Sequence, residues 1–258
     1  METIKEQDAV ILYFSKSYQK QIIIEKNSQT QTHIGVIYHN DLINQPFNIS
    51  LQLKNTTVRI LKPNISLFIS TLKRKTQILF EADISLIIYF LNIKKSSSVL
   101  ECGTGSGALT YSISQQIGEE GVIHTYEVDL NRYEHMLKEI EYFPFKNIKI
   151  TNCDIITCDK LPNVDCIFLD IPNPWIIIEK CHKALFQTGR ICVFIPSFDQ
   201  AQKVIEKVKL YFNEIKMYEN VKREYTPCVI EVENNIKRGY GAVNMQYQHT
   251  GYLIFGSK

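Results

Sequence analysis

Three alternate glycines behind an acid, Glu101-Cys-Gly103-Thr-Gly105-Ser-Gly107, carry the strongest chemical signal in this 258-residue chain. An apolar run leads into them and a helix-spaced run leaves them. They therefore form a strand-to-helix turn, where a backbone without Cβ atoms lets a ligand come close. A nucleoside-triphosphate loop ends in a lysine, which is missing here. A dinucleotide loop follows G-x-G-x-x-G and points helix N–H groups at a pyrophosphate. Here the third glycine comes one residue early, and Glu101 would repel that pyrophosphate. The same carboxylate suits an amine. The spacing favours S-adenosylmethionine, which has an ammonium on its amino acid part and a positive sulfur. On this reading Gly103, Thr104, Gly105, Ser106 and Gly107 cradle the methyl donor.

Two more acids sit where such a donor needs them. Glu127 closes the next apolar run, about 20 residues on, where a carboxylate accepts ribose hydroxyls. Asp154 closes the run after that and is placed for the adenine amino edge. Singly, an acid at a strand end is better explained as a helix cap; three at successive strand ends point to one ligand. A fourth run ends in Cys166–Trp175, "CIFLDIPNPW". It delivers Asp170 to the same edge, and Pro172 and Pro174 stiffen the exit and start a helix at Pro174 or Trp175. The plain alternative is a proline turn with Trp175 in the core. Beside a methyl donor, a carboxylate here can accept a hydrogen bond from an exocyclic amine of a purine or pyrimidine. Trp175 is then a candidate to hold an extruded base, with Phe80 and Phe198 as lesser ones.

These residues need a parallel sheet to bring them together. Strands are expected at 97–102, 122–128, 148–154, 164–170 and 190–196, alternating with helices at 107–117, 131–143, 174–186 and 197–212. Such alternation means a parallel sheet covered on both faces. Helical spacing also marks 66–79 and 81–94, and two later runs, 227–233 and 250–258, read as strands. Residues 1–64 differ: short β-type runs at 9–14, 21–26, 32–39, 48–54 and 57–61 are split by polar clusters, the pattern of a small all-β domain. The expected division is 1–64 and 65–258.

Composition narrows the class. The formal net charge is +2, so no global basic field points to nucleic acid. The local run "LKRKT" (72–76) reads on spacing alone as a solvated helix face. The seven cysteines include no Cys-x-x-Cys pair, and suggest free thiols in a reducing compartment without a zinc site. The polar start "METIKEQDAV" lacks a signal-peptide core, and no apolar run reaches the about 20 residues of a membrane helix. The expectation is a soluble intracellular protein, without metal or membrane.

Six segments, "LKRKTQIL" (72–79), "EADIS" (81–85), "ECGTGSGALT" (101–110), "HTYEVDLNR" (124–132), "FLDIPNPW" (168–175) and "HTGYLIFGSK" (249–258), resemble the catalytic subunits of eukaryotic tRNA adenine-58 N1-methyltransferases. The likeness runs from about residue 70 to the end and is most specific in D-I-P-x-P-W and H-T-G-Y-L. It implies a Rossmann-like class I methyltransferase sheet, mostly parallel, seven-stranded with the last strand antiparallel, behind a small all-β domain. It implies S-adenosylmethionine as donor and S-adenosylhomocysteine as product. Gln77 matches a glutamine that reaches the donor, Arg132 an arginine following Glu127, and Asp170 the catalytic aspartate. It further implies tRNA as substrate, a homologous non-catalytic partner subunit, a tetramer of two heterodimers, and a nuclear location. Three other readings remain: the RNA-binding, non-catalytic paralogue; a class I methyltransferase acting on another RNA, a protein or a small-molecule amine; and a dehydrogenase, which the glycine spacing disfavours.

Overall fold

The computed structural model describes residues 2–54, 56–72, 79–141, 146–232, 235–242 and 249–258. The short apolar runs at the start become strands β1 (Ala9–Ser15), β2 (Tyr18–Ile23), β3 (Gln29–Thr32), β4 (Gly35–Tyr38), β5 (Ile49–Leu53) and β6 (Thr56–Leu61). Four form an antiparallel sheet in the order β2-β1-β6-β5, and β3 and β4 form a hairpin. Residues 29–31, read from sequence as a spacer before the run 32–39, join Thr32 in β3 because the segment alternates: Thr30 and Thr32 are buried, and the Thr30 hydroxyl lies 2.8 Å from the His39 ring. Ile4, Val10, Leu12, Ile24, Val58 and Ile60 lie in the core of this part, all before residue 61. We propose the 64/65 joint as a domain boundary for that reason. Asn64 there caps the following helix, its Oδ1 accepting from the Leu67 N–H at 2.9 Å.

The remainder is a layered α/β unit. Helices α1 (Ile65–Thr71) and α2 (Glu81–Phe90) come first; the stretch 73–78 between them lies outside the described residues. Then follow β7 (Ser98–Cys102), α3 (Ala108–Ile117), β8 (Val122–Glu127), α4 (Leu130–Glu141), β9 (Ile148–Asn152), β10 (Val164–Leu169), a 3₁₀ turn (Pro174–Ile176), α5 (Ile178–Ala184), β11 (Leu185–Ile195), α6 (Phe198–Val208), β12 (Asn213–Glu219), β13 (Tyr225–Val232), β14 (Asn235–Ala242) and β15 (Tyr252–Ser257). Seven strands pair in the order β12-β15-β11-β10-β7-β8-β9, with β15 antiparallel to both neighbours. Chain order reverses between β7 and β10, so a crevice opens at their carboxyl ends.

The central strands β7 and β10 are apolar because both faces are covered. Val99 and Phe168 face a core with Ile87, Leu109 and Ile113 of α2 and α3. Leu100 and Ile167 face the opposite core, with Ile178, Val204 and Val208 of α5 and α6. Each fully buried Leu, Ile or Phe contributes about 1.5–3 kcal/mol.

Two strands depart from the expected scheme. The expected run 227–233 reaches past the described residues; its described part, within β13, is outside the sheet and pairs with Asn235–Ala242 in a separate hairpin. The sheet's outer strand is Asn213–Glu219, "NEIKMYE", which is mostly exposed. An edge strand carrying charge has little apolar signal and resists pairing with other chains. Among the described residues no helix is long and apolar enough to cross a membrane, and no group of three or more His, Cys, Asp or Glu could hold a metal ion. All seven cysteines are free thiols.

Candidate active site

A cavity of about 820 Å³ opens at the carboxyl ends of β7, β8 and β10. Its walls bring together most of the chemistry read from sequence: Glu101, Gly103, Thr104, Gly105, Ser106, Glu127, Arg132, Asp154 and Asp170 all line it. Gly107 stands just behind as the N-cap of α3 with φ +80°. Gln77 and the basic run at 73–76 lie outside the described residues.

The glycine loop is shaped by its own hydrogen bonds. Gly103, Gly105 and Gly107 all have positive φ, at +92°, +56° and +80°, a region L side chains avoid. The N–H groups of Gly103 and Thr104 donate to the Tyr126 carbonyl at 3.0 and 3.4 Å, and that of Gly107 donates to the Thr104 carbonyl at 2.9 Å. The Gly105 N–H donates to Glu127 Oε2 at 3.1 Å. A phosphate cradle keeps such donors free for the anion; here four of them are already used by the protein. This is a physical reason, beyond spacing, to set aside a nucleoside triphosphate or a pyrophosphate.

Gly103 has a second duty. A Cβ on it would stand 2.2 Å from the Asp170 carbonyl oxygen. The Asp170 N–H donates to the Cys102 carbonyl at 2.8 Å. The end of β10 thus rests directly on the first glycine, and the two halves of the site share one wall.

The carboxylates have distinct surroundings. Glu101 is 1% exposed and accepts from the Thr110 hydroxyl at 2.6 Å. Burial pushes its carboxyl up to about 7. Glu127, 3% exposed, accepts from Arg132 Nη2 at 2.7 Å, the Asp129 N–H at 2.9 Å and the Gly105 N–H at 3.1 Å. A carboxylate has about four lone-pair sites, so one remains for a ligand hydroxyl rather than the two first expected. Arg132 also lines the cavity, and its Nε is buried with no partner among the described residues. Asp154 is exposed and makes a tight turn: its Oδ1 accepts from the Ile156 N–H at 2.9 Å, which is the capping role a lone acid would have. Asp170 is half-buried, and desolvation pushes its carboxyl up to about 6.

The aromatic candidates fall elsewhere. Trp175 packs against the α5–α6 core, with the Lys203 ammonium 5.2 Å above its ring. Phe198 is exposed and meets Tyr252 edge-on, and Phe80 is half-buried; none of the three lines the cavity. Phe194 does, together with Leu79, Pro172, Pro196, Gln200 and Thr250. Phe194, Pro196 and Gln200 were missed because they come from β11, its exit and α6 and carry no spaced motif; Leu79, Pro172 and Thr250 stood within quoted segments but were given no place in the cavity. The one available signal was Gly251 in H-T-G-Y-L. Its missing side chain makes room for Phe194, whose Cζ would lie 2.5 Å from a Cβ there.

The site fits S-adenosylmethionine on these grounds. A closed glycine turn offers close approach, a buried carboxyl at Glu101 suits an ammonium, and Glu127 and Arg132 keep one acceptor site and one donor unspent. A pH dependence follows. An ammonium prefers ionised Glu101, whose unliganded carboxyl titrates near 7. Affinity for S-adenosylhomocysteine is therefore expected to be flat just above pH 7 and to fall up to about tenfold per pH unit below it. Isothermal titration between pH 5.5 and 8 measures this, and a flat profile would contradict the Glu101 assignment.

Comparison with known proteins gives a consistent picture. A tRNA (adenine(58)-N(1))-methyltransferase catalytic subunit from Dictyostelium discoideum is 30% identical over 240 residues, covering 89% of this chain and 77% of that protein. The protein of the same description from Yarrowia lipolytica is 28% identical over 218 residues, covering 81% of this chain and 56% of its own length. The chain thus spans little more than half of some relatives. Among solved structures, an S-adenosylmethionine-dependent O-methyltransferase from Thermotoga maritima superposes with a TM-score of 0.83 at 27% identity, covering 99% of this chain and 94% of that one. The tRNA (m1A58) methyltransferase TrmI from Aquifex aeolicus gives 0.77 at 25%, covering 99% and 98%. The model of one family, described as tRNA methyltransferase complex GCD14 subunit, matches residues 56–238. That span holds the glycine turn, Glu127, Asp154 and Asp170, and the chain belongs to this family.

Proposed function

We propose that the chain is the catalytic subunit of a tRNA methyltransferase that methylates N1 of adenine 58 in the T-loop. When bound, S-adenosylmethionine supplies an electrophilic methyl on a sulfonium and departs as S-adenosylhomocysteine. Glu101 holds the ammonium, Glu127 and Arg132 the ribose, Asp154 and Gln77 further donor contacts, and Gly103 to Gly107 the close backbone approach.

The observation that carries this reading is the contact between Asp170 and Gly103. It supports the reading because it holds a half-buried carboxylate beside the glycine turn that would cradle the donor. Adenine N1 has an in-plane lone pair and needs no general base before attack. What it needs is alignment, and orientation can supply several kcal/mol, roughly 7–11 at most. Asp170 accepts a hydrogen bond from N6–H, which raises electron density at N1 and stabilises positive charge developing on the ring. The base must leave its stack, at a cost of roughly a few kcal/mol. Leu79, Phe194 and Pro196 offer an apolar wall for it. Guanine has a carbonyl oxygen in place of the amine and would be repelled by Asp170.

The family description speaks of a complex, and a net charge of +2 suits a chain that leaves phosphate contacts to another subunit. We therefore include a homologous non-catalytic partner, a tetramer of two such pairs, and a nuclear location. A second reading has one specific support, the likeness to the Thermotoga O-methyltransferase: a carboxyl titrating near 6 could serve as base for a hydroxyl acceptor.

The test is methylation of unmodified tRNA transcripts bearing A or G at position 58, by the chain alone and co-expressed with its partner, with 1-methyladenosine mapped by mass spectrometry. Product is expected only with A58 and only with the partner present. Product from the lone chain would remove the heteromeric part. Transfer to hydroxyl compounds and not to tRNA would favour the second reading.

A further inference from the structure

We infer that Lys180 is a positioning residue for the methyl-donor pocket: from α5, its ammonium holds the 154–158 turn in the shape that presents Asp154 and Ile156 to the cavity. The inference rests on the proposed use of that turn to hold the donor.

The turn between β9 and β10 consumes its own donors. The Thr157 and Cys158 N–H groups donate to the Asp154 carbonyl at 3.1 and 3.2 Å. The Thr157 hydroxyl donates to the same oxygen at 3.0 Å, and the Ile156 N–H donates to Asp154 Oδ1 at 2.9 Å. The geometry is that of a single helical turn, and like any helix end it leaves carbonyls facing outward at its far side. Lys180 meets them: its Nζ donates to the Ile155 carbonyl at 2.9 Å and to the Cys158 carbonyl. A cation at the carbonyl end is the favourable polarity.

The location gives this clasp its consequence. Cys153, Asp154, Ile155 and Ile156 line the cavity on one side of the turn, and Lys180 grips it from the other. Ile155 is 2% exposed and sits in the core with Ile178 and Cys181 of α5. The helix that carries Lys180 follows, after the 3₁₀ turn Pro174–Ile176, on the Asp170–Asn173 segment that also lines the cavity. The ammonium therefore links the donor turn to the element that leaves the acceptor side. Lys183, one turn on, differs: it is exposed and pairs with Glu179 at 2.6 Å on the surface. It serves as the control.

The test uses the full chain and S-adenosylhomocysteine in isothermal titration, with Lys180→Met, Lys180→Arg and Lys183→Met. Loss of two charge-assisted hydrogen bonds is expected to weaken binding by about tenfold in Lys180→Met. Lys180→Arg, which keeps the donors, should stay within about threefold of wild type by the same principle. Lys183→Met should bind as wild type. In steady state Lys180→Met raises KM for S-adenosylmethionine by the factor seen in binding, with kcat at saturating donor largely retained. In the unliganded chain, hydrogen exchange at the Thr157 and Cys158 amides should quicken while the β7 amides stay protected. Wild-type affinity in Lys180→Met, an equal loss in Lys183→Met, or a fall in kcat with KM unchanged would overturn the inference. Should Lys180→Met not fold, Lys180→Gln carries the same readouts. Failure of the wild-type chain to bind S-adenosylhomocysteine at all would instead overturn the proposed function.

Discussion

Asp170→Ala is expected to reduce methyl transfer by about a hundred- to a thousand-fold, while S-adenosylhomocysteine binding changes little. The reason is division of labour within one cavity. Asp170 reaches the donor loop through its main chain, by the N–H to Cys102 and the carbonyl against Gly103. Those contacts survive loss of the side chain. Only the carboxylate is free to meet the acceptor. Asp170→Asn separates charge from shape: the amide oxygen can still accept a hydrogen bond but supplies no negative charge, so activity should fall between the two. The Asn variant should also be more stable than wild type. Burial raises the Asp170 carboxyl to about 6 in the folded chain, above its ordinary range near 4 in the unfolded one. The folded state therefore carries a penalty that is fully present above pH 6, of the order of 2–3 kcal/mol at most. It vanishes as pH falls below about 4. Thermal unfolding of Asp170→Asn against wild type at pH 8 and pH 4 measures it. A higher Tm at pH 8 and equal values at pH 4 are expected; a lower Tm for Asn at pH 8 would mean that the carboxylate supports the fold.

Gly103→Ala has the other large effect, and it is of a different kind. The new methyl would lie 2.2 Å from the Asp170 carbonyl oxygen, at a φ of +92° that an L side chain rarely adopts. Backbone cannot yield as a side-chain tip can, so β7 and β10 must separate at their carboxyl ends. Binding of S-adenosylhomocysteine is expected to fall by at least about a hundredfold, with about 2–4 kcal/mol of stability lost to strain and displaced packing. Chemical denaturation and titration calorimetry read the two losses. The contrast with Asp170→Ala is diagnostic: one variant binds without reacting, the other does neither. Retention of donor binding in Gly103→Ala would show that the loop can relax without opening the shared wall.

The sheet and the acids that line its cavity were legible in the sequence because β7, β8 and β10 each combine a largely buried apolar run with an acid at or just after its end. Glu101, Glu127, Asp154 and Asp170 could be placed by counting strand ends, since parallel strands deliver their carboxyl termini to one edge. The lining proposed to take the acceptor was not legible. Phe194 and Gln200 come from β11 and α6, where one aromatic and one amide carry no spacing, and they meet the cavity only through the pairing of β11 with β10. Trp175 was misjudged for a related reason: Pro174 begins a 3₁₀ turn, which faces the indole toward the α5–α6 core and Lys203. The outer strand Asn213–Glu219 was missed because an exposed edge alternates weakly, whereas the apolar "CVIEV" of β13 reads as sheet but forms a hairpin of its own. Glu127 shows what spacing alone leaves open. Its position was right, but only the structure shows three donors already on its carboxylate.

In the proposed reaction Asp170 accepts a hydrogen bond from the amine of the adenine to be methylated. The most direct measurement is a double-mutant cycle on kcat/KM, pairing wild-type and Asp170→Ala chains with tRNA bearing adenosine or purine riboside, which lacks the amine, at position 58. A large loss is expected for wild type on the purine substrate, and no comparable further loss for Asp170→Ala. Two full and additive losses would contradict it, because the carboxylate and the amine would then act without touching.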